Sequence, residues 1–440
     1  MNIEIINTGS ELMLGRILNT HQQWLCEQFA ALGLVVARQV AVADTAATIQ
    51  QTVQEALGRG ADAIVTTGGL GPTSDDLTRE AIASLLGRTL ETDAAVLQKI
   101  EAFFAERRRV MPSSTRVQAQ VPAGAEVLPN DYGTAPGLAM DVRPNPFCAN
   151  GQASLLIMLP GPPRELHPMF QNQVVPLLRR RFPSLPPFVC RTLKTTGLGE
   201  SVVEEKVAKP LEHLVRSGLE LGYCARPGEV EVRLAARGAN AEAQVKEGEA
   251  IVRHLLGTAV YGVDDDSLEA VVVRLLTERH QTLALAESCT GGLIANRVTN
   301  VAGASAVFLS GLVTYSNEAK QRLVGVRPET LAAHGAVSPE TAREMAEGAR
   351  RSSGTDYALA VTGIAGPTGG TPEKPVGTVY IALAGAAATL VEQRYNPYER
   401  ATFKWTVSEQ ALALLRMQLV KAPAAAMDPG SRALPAGSAP

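Results

Sequence analysis

The sequence predicts an α/β protein of more than one domain, and two observations support that prediction. A chain of 440 residues is too long to fold around a single hydrophobic core. Short apolar runs alternate with longer helical patterns near the N-terminus and again after residue 267, a rhythm typical of parallel sheets with helices on their faces. Ligand loops are therefore expected beyond the carboxyl ends of the strands.

Changes in composition divide the chain into four segments. Residues 1–175 carry a βαβαβ rhythm, and residues 176–262, which begin with a basic and proline-rich stretch, indicate a small α+β module with a linker or interface role. Residues 263–421 return to the α/β pattern. The tail 422–440 is rich in Ala, Pro, Gly and Ser, so it is expected to be disordered.

Charge and composition exclude several function classes. The 41 basic and 44 acidic residues give a formal charge of −3, and aromatic residues make up 4% of the chain, which argues against direct nucleic-acid binding. Neither a signal peptide nor an apolar run near the roughly 20 residues of a membrane span is present. Five scattered cysteines without a CxxC spacing favour a reducing compartment. We expect a cytoplasmic protein with small-molecule ligands, and a homodimer as the commonest assembly.

The stretch TTGGLGPTSDD, residues 66–76, predicts a first site. Its glycines let ligand oxygens approach backbone N–H groups, and a helix predicted to begin near Asp75 offers its positive end to phosphate. The candidate phosphate-binding residues are Gly68, Gly69, Gly71 and Thr73. Asp75 and Asp76 have two interpretations: first-turn acids that offset the helix dipole, or ligands of a divalent cation shared with phosphate.

Four segments carry a family resemblance in this region. NTGSELMLGRILNT, TTGGLGPTSDDLT, NDYGTAPG and LPGPPRE resemble, in this order, the N-terminal half of CinA-like proteins, which have the fold of molybdopterin-binding domains. The resemblance implies a pyrophosphatase that cleaves ADP-ribose with a divalent metal cation held near Glu11, Asp75 and Asp76. The chain departs from the family pattern at Val117, where relatives have lysine. A binding function without catalysis, as in molybdopterin-type proteins, stays open.

The stretch AESCTGG predicts a second site. Ser288 follows an apolar strand and precedes a Gly-Gly turn that opens a helix, an arrangement that exposes a hydroxyl among free backbone N–H groups. The alternative is that Ser288 caps the helix. Lys320, thirty-two positions further on, has likewise two interpretations: a solvated surface group, or a desolvated amine that acts as base to the serine. The neighbouring Cys289 is the rival nucleophile.

A third element is the Gly/Thr/Pro-rich loop between two apolar strands, beginning with Thr362 and Gly363. Such a loop is longer than a hairpin needs, and its backbone N–H groups are candidates for phosphate binding. A plain mobile surface loop is the alternative.

The segments AESCTGG, VTYSNEAK, HGAVS and AVTGIAGPTGGTPEKPVGTV resemble the C-terminal CinA domain, a nicotinamide mononucleotide deamidase that needs no cofactor. The resemblance implies Ser288 as nucleophile, Lys320 as general base and Tyr315 as an assistant. It implies that substrate contacts come from Thr290, Gly291, Thr362, Gly363 and, for the phosphate, Arg400. Lys404 replaces the second arginine of the family pattern. A competence-associated accessory role without N-terminal catalysis is the alternative function.

Overall fold

The computed structural model describes residues 1–183 and 186–421, so the predicted disordered tail, 422–440, lies outside the described residues. The chain forms two units: Met1–Val189 with Arg237–Ala239, and Cys190–Ala236 with 240–421. The boundaries inferred from composition, at 175 and 262, stay a prediction. Within the described ranges, no helix is both long enough and apolar enough to cross a membrane.

The first unit contains a six-stranded sheet and a two-stranded one. The strands are β1 (Ile3–Thr8), β2 (Val36–Val42), β3 (Ala63–Thr67), β4 (Leu90–Thr92), β5 (Gln120–Pro122), β6 (Glu126–Leu128), β7 (Gly137–Val142) and β8 (Ser154–Leu159). The helices are α1 (Ser10–Met13), α2 (Thr20–Ala31), α3 (Ala46–Gly58), α4 (Thr78–Leu85), α5 (Ala94–Glu106), α6 (Pro163–Met169) and α7 (Val175–Arg181), with a 3₁₀ turn at Ser113–Ala119 and a π-helical turn at Phe170–Val174.

The large sheet has the order β2-β1-β3-β8-β7-β6. Strands β2, β1, β3 and β8 are parallel, as the βαβαβ rhythm predicts, whereas β7 runs antiparallel to both of its neighbours, β8 and β6. The difference arises because β7 returns directly to β8 without the helical crossover that a parallel pair requires. Ile5 and Ile6 on β1 belong to separate apolar clusters on the two faces of the sheet, so helices cover both faces and the domain has three layers.

The second unit begins with a split βαβ module. Its elements are β9 (Phe188–Thr196), α8 (Glu200–Arg216), β10 (Glu220–Arg226), β11 (Glu229–Arg237), α9 (Ala241–Leu256), a 3₁₀ turn at Gly257–Ala259 and β12 (Val260–Val263). The sheet order is β10-β11-β9-β12, with β10 and β11 forming an antiparallel hairpin. This is the ferredoxin-like βαββαβ order, and it confirms the predicted strand, helix and hairpin-like pair. The first residue before α8, Gly199, provides no side-chain cap.

The last part of the chain contains a five-stranded sheet. Its strands are β13 (Leu283–Glu287), β14 (Phe308–Val313), β15 (Tyr357–Gly363), β16 (Thr378–Ala384) and β17 (Thr389–Tyr395). Its helices are α10 (Leu268–Glu278), α11 (Leu293–Thr299), α12 (Asn317–Val324), α13 (Pro328–His334), α14 (Pro339–Ser353) and α15 (Arg400–Lys421), with a 3₁₀ turn at Ala304–Ala306. The order is β14-β13-β15-β16-β17, and β13 pairs in parallel with both of its neighbours.

The side chains on the two faces of strand β13 differ in size, and this difference determines how the helices pack against the sheet. Leu283 and Leu285 point into a cluster with α10 and α15, whereas Ala284 and Ala286 lie under α14. Small side chains let α14 approach the sheet closely. The chain also moves from β13 to β14 on one side and later to β15 on the other, so the carboxyl end of β13 is a switch point where a ligand crevice is expected.

Candidate functional sites

Three strand ends meet at the switch point of the C-terminal sheet. Ser288 follows β13, Thr314 follows β14, and Thr362 lies near the end of β15. The backbone N–H of Ser288 donates to the carbonyl of Val361 at 3.0 Å, and that of Thr314 donates to the carbonyl of Glu287 at 2.8 Å. These bonds extend the sheet beyond the strand and hold the serine at its edge.

A buried lysine lies against the serine hydroxyl. Lys320 Nζ is 3.0 Å from Ser288 Oγ, 2.8 Å from the Thr314 carbonyl oxygen and 3.4 Å from that of Tyr315. The lysine is 1% exposed and the serine 8%, and no carboxylate forms an ion pair with this amine among the described residues. Burial lowers the pKa of the Lys320 ammonium, because an uncompensated charge is disfavoured away from water. The arrangement can pass a proton between the hydroxyl and the amine.

Ser288 does not cap a helix, so the alternative interpretation of this residue is wrong. Helix α11 begins at Leu293, and the residue before it, Gly292, provides no side-chain cap. Instead the Glu287 carboxylate, 1% exposed, accepts from the N–H groups of Gly292, Ile294 and Ala295 at 3.0, 3.1 and 2.8 Å.

The expected free N–H groups around Ser288 are therefore reduced by three, because Glu287 uses those of Gly292, Ile294 and Ala295. Among the described residues, the N–H groups of Cys289 and Thr290 donate to no backbone acceptor. The sequence interpretation missed Glu287. Its signal was an acidic residue at the end of an otherwise apolar strand, directly before the serine.

The other residues predicted to contact the substrate differ in whether they have a hydrogen-bonding group that the protein leaves unused. Thr290 is fully buried, and its hydroxyl has no hydrogen-bond partner among the described residues. Gly291 adopts φ +63°, a conformation that favours glycine, with Lys404 Nζ 3.9 Å from where a Cβ would lie. The Thr362 hydroxyl donates to the Ala336 carbonyl at 2.7 Å, so the protein already engages it, and Gly363 follows at the strand end.

A cationic side chain joins the glycine-rich loop to Tyr315. Arg400 donates through Nη1 to the Gly366 carbonyl at 2.8 Å and through Nη2 to the Tyr315 hydroxyl at 3.0 Å. The tyrosine side chain is 61% exposed, and its hydroxyl bonds the arginine rather than the serine or lysine. Arg400 and Lys404 lie one turn apart at the start of α15, with Lys404 near Gly291 of the Ser288 turn and Arg400 at the glycine-rich loop.

Cys289 does not compete with the serine. The thiol is 5% exposed, and burial, together with the nearby Glu287 carboxylate, raises its pKa to about 12. A thiol is a nucleophile only as its thiolate, so at neutral pH Cys289 is a packed, protonated side chain.

The first unit has a cavity of about 700 Å³ at the equivalent edge of its sheet. The turn after β3 contributes Gly68, Gly69 and Gly71, and the segment after β1 contributes Gly9 and, from the short helix α1, Glu11. Gly68 and Gly69 adopt φ +94° and +67°, which only glycine adopts readily. Asp75 and Asp76 line the same cavity. Glu11, Asp75, Asp76 and the glycine turn thus line one cavity, and their predicted roles toward metal and phosphate stay a prediction.

The helix after the glycine turn begins later than predicted. Helix α4 starts at Thr78, with Glu80 as its first-turn acid, so Asp75 and Asp76 precede the helix and the first-turn interpretation is wrong. Asp76 closes the turn by accepting from the N–H of Thr73 at 3.0 Å and from its hydroxyl. Thr73 does not line the cavity, and its visible role is to hold Asp76.

Two further family segments meet at this cavity. Asn130 Nδ2 donates to Glu165 Oε2 at 2.8 Å, and Glu165, which is 7% exposed, is one of the lining residues. Val117 does not line the cavity, but its neighbour Gln118 does, with Oε1 unpartnered among the described residues. The sequence interpretation missed Asp44, Gln118 and the Asn130–Glu165 pair, whose positions depend on distant loops coming together.

The carboxylates in this cavity do not form a closed metal site. Among residues 1–183 and 186–421, no three His, Cys, Asp or Glu side chains are grouped closely enough to hold a metal ion. Asp76 is engaged by Thr73, and Asp44 accepts from the N–H of Ser10 at 2.7 Å. The donor set fits only an ion that receives further oxygens from a ligand, which is how Mg²⁺ binds at phosphate sites.

Comparison with known proteins gives the chain its class. Family models match residues 4–180 as a probable molybdopterin binding domain, 190–262 as a damage-inducible protein CinA KH domain and 265–419 as a CinA C-terminal domain. The chain is thus a three-module α/β protein with a molybdopterin-binding-like first domain and a strand-end serine–lysine site in the last. It belongs to the CinA family, which confirms the resemblance found in the sequence.

Relatives cover nearly the whole chain. A putative competence-damage inducible protein of Moorella thermoacetica is 45% identical over 94% of this chain and 98% of its own length. A CinA-like protein of Akkermansia muciniphila is 44% identical over 94% of this chain and 96% of its own length. Among solved structures, the competence/damage inducible protein CihA from Agrobacterium tumefaciens is 41% identical, covers 36% of this chain and 98% of its own, and has a TM-score of 0.34.

Proposed function

We propose that the C-terminal domain is an amidohydrolase that converts nicotinamide mononucleotide to nicotinic acid mononucleotide and ammonia. The observation that supports this most is the 3.0 Å separation of Lys320 Nζ and Ser288 Oγ, with both side chains buried. An amine with a lowered pKa is a base for a serine near neutral pH without a histidine. The test is ammonia release by purified protein and its loss in Ser288→Ala.

The proposed reaction has two steps, acylation of the serine and hydrolysis of the resulting ester. Ser288 Oγ attacks the carboxamide carbon while Lys320 takes the hydroxyl proton and then gives it to the departing nitrogen, which leaves as ammonia. Water next attacks the ester carbon while Lys320 accepts its proton, and Lys320 then returns that proton to Ser288 Oγ as the ester bond breaks, which releases the nicotinate product and restores the neutral amine. The N–H groups of Cys289 and Thr290, which Glu287 leaves unused, are the donors for the oxyanion.

Arg400 and Lys404 provide the affinity for the substrate phosphate. We expect Arg400→Gln to raise KM for nicotinamide mononucleotide by about 10- to 100-fold with a smaller change in kcat, since a hydrogen bond to a charged group contributes about 1.5–3 kcal/mol. Arg400→Lys should recover part of the loss, because charge returns without the bidentate geometry. The measurement is steady-state kinetics of each variant with nicotinamide mononucleotide and, for comparison, with nicotinamide riboside, which lacks the phosphate.

Arg322→Gln, which removes an exposed charge from α12, is the matched control and should change neither constant. If Arg400→Gln raises KM equally for the phosphorylated and unphosphorylated substrates, Arg400 supports the loop rather than the phosphate.

A second activity is proposed for the first unit: metal-dependent cleavage of ADP-ribose, favoured by the glycine turn and three carboxylates around one cavity. A divalent cation bound there supplies charge neutralisation at phosphate oxygens. Glu11 and Asp75 are the candidate ligands, with the pKa of Asp75 lowered by a hydrogen bond from the Thr73 side chain, and Asp76 positions the turn through Thr73. A molybdopterin-type binding function without catalysis, and an accessory role in competence, are the alternatives for this domain.

Asp75→Asn combined with Asp76→Asn should lower metal-stimulated ADP-ribose cleavage by about 100-fold or more, because the loss of the cation removes several kcal/mol of transition-state stabilisation. Product formation is measured with and without chelator. Asp131→Asn, an exposed carboxylate outside the cavity, is the control, and deamidation should be unchanged in both variants. Undiminished cleavage in the double variant would rule out the metal role.

A further inference from the structure

A buried arginine on α11 takes no part in the proposed deamidation steps. Arg297 is 4% exposed and lies in the last turn of the helix that follows the Ser288 segment. Its Nη2 donates to Glu409 Oε1 on α15 and to Glu269 Oε2 on α10, both at 2.6 Å, and its Nη1 donates to Ser408 Oγ on α15 at 2.7 Å. We call these four residues the arginine clamp, because they join α11 to α15 and α10.

The same arginine packs on an aromatic ring of α15. Its guanidinium carbon lies 4.4 Å from the centre of the Trp405 ring, a distance at which a cation is attracted to the face of an indole. Trp405 directly follows Lys404, whose Nζ is 3.9 Å from where a Cβ on Gly291 would lie. The turn of α15 that holds Arg297 is therefore the turn that brings Lys404 close to the Ser288 segment.

Helices α11 and α15 carry opposite ends of the proposed nucleotide site. In the proposed reaction Ser288 attacks the carboxamide, and Glu287 fixes the serine turn by accepting from three N–H groups at the start of α11. The phosphate is held by Arg400 and Lys404 at the start of α15. A change in the spacing of the two helices would therefore move the carboxamide relative to the serine while the phosphate stays bound.

Stability alone does not account for the arginine clamp. Arg297 Nε and Glu409 Oε2 are buried without a hydrogen-bond partner among the described residues, and burial raises the pKa of the Glu409 carboxyl in spite of the nearby guanidinium. Burying charges costs free energy that offsets much of their attraction, so an apolar contact between helices is often as stable. What the arginine adds is a fixed geometry, because its planar guanidinium bonds three partners at once.

We propose that Arg297 is a positioning residue, which sets the spacing between the serine turn at the start of α11 and the phosphate-binding cations of α15. This inference rests on the proposed deamidation, since it assumes that one nucleotide contacts both helices. Arg297 does not contact the substrate itself, because it is buried among Glu269, Ser408, Glu409 and Trp405. Its effect is therefore largest for a substrate that has a phosphate.

The first test compares two substrates of the full chain. In Arg297→Gln, kcat for nicotinamide mononucleotide should fall by about tenfold or more, because a small misplacement of the reacting groups is costly, whereas kcat for nicotinamide riboside should fall much less. KM for the mononucleotide should change little, since Arg400 and Lys404 remain. Arg297→Lys should recover part of the kcat, because its ammonium restores the charge but cannot bond all three partners.

Two further variants separate positioning from a loss of stability. Ser408→Ala removes one clamp bond and little volume, and it should lower the ratio of the two kcat values by about threefold. Arg416→Gln is the matched control, because Arg416 is similarly buried on α15 but donates to the carbonyls of Thr258 and Val260; the ratio should stay unchanged. An unchanged ratio in Arg297→Gln, or in Ser408→Ala if the former does not fold, would overturn the proposal.

Hydrogen exchange distinguishes a failure of this proposal from a failure of the proposed reaction. Nicotinic acid mononucleotide, added to the full chain, should protect residues 289–295 and residues 400–405. In Arg297→Gln, protection should persist at 400–405 and be lost at 289–295. If the unaltered protein releases no ammonia but shows this pattern, the deamidation is refuted and the role of Arg297 is supported. Protection of both segments in Arg297→Gln, or of neither in the unaltered protein at millimolar nucleotide, would overturn the inference.

Discussion

Ser288→Ala is expected to abolish ammonia release from nicotinamide mononucleotide, with kcat falling by about 10³- to 10⁶-fold, the range seen when a catalytic serine is removed. Oγ is the only atom of this side chain near the Lys320 amine, so alanine removes the attacking group and leaves the backbone bonds of the turn intact. Continuous ammonia detection with purified protein provides the measurement.

Folding of this variant should be unchanged, since the Ser288 N–H bond to Val361 is a backbone bond that alanine keeps. Ser310→Ala on strand β14, another serine of the same sheet, is the comparison and should retain full activity. Deamidation that continues at more than a trace in Ser288→Ala would mean that water, rather than the serine, attacks the amide.

Lys320→Met is expected to reduce deamidation by at least about 10³-fold, because no other base lies within hydrogen-bond reach of the serine in the described residues. The proposed mechanism requires the neutral form of this amine, which its lowered pKa favours. The deamidation rate should therefore increase as the pH rises through the lowered pKa of Lys320, because the amine is protonated below that pKa. Measuring kcat/KM against pH for both proteins gives the loss of rate in the variant and the pH dependence of the unaltered protein.

The residual activity of Lys320→Met should lose this acid limb, whereas Lys246→Met, an exposed lysine on α9, should keep it. An acid limb that persists at the same pH in Lys320→Met would assign the titration to another group and remove Lys320 as the base.

The same lysine should affect stability. Its pKa is lower in the folded chain than in the unfolded one, so between these two values the unfolded chain binds more protons. The free energy of unfolding therefore rises with pH across this window and is reduced below it. Lys320→Met should remove that slope, which denaturant titrations at several pH values will detect.

Much of the fold could be predicted because local patterns agree with it. The alternation of apolar runs and helices predicted three layers in the first unit, and the sheet around β1 and β3 has them. The antiparallel strands were harder to foresee, since the direction of β7 depends on its route to β8 rather than on its own six residues. The sequence also predicted the glycine turns, because a positive φ at Gly68 or Gly291 strongly restricts the choice of residue.

The partners of the site residues could not be predicted in the same way. The use of three N–H groups by Glu287 depends on this strand residue reaching the N-terminus of α11, the helix that follows β13. The bonds from Arg400 to Gly366 and Tyr315 join residues 34 and 85 positions apart. Helix α4 begins at Thr78 rather than near Asp75, because Asp76 accepts a hydrogen bond from the N–H of Thr73 in a separate turn. Bonds of this kind between a side chain and the nearby backbone compete with helix initiation.

The packed thiol beside the serine has a consequence for chemical selectivity. With a pKa of about 12, Cys289 carries almost no negative charge near neutral pH, and reaction with peroxide or alkylating electrophiles requires that charge. The Ser288 turn should therefore resist oxidation and alkylation at its neighbouring sulfur atom. For the proposed amidohydrolase, we expect covalent inhibition by reagents that acylate or phosphonylate an alcohol rather than by reagents that react with sulfur.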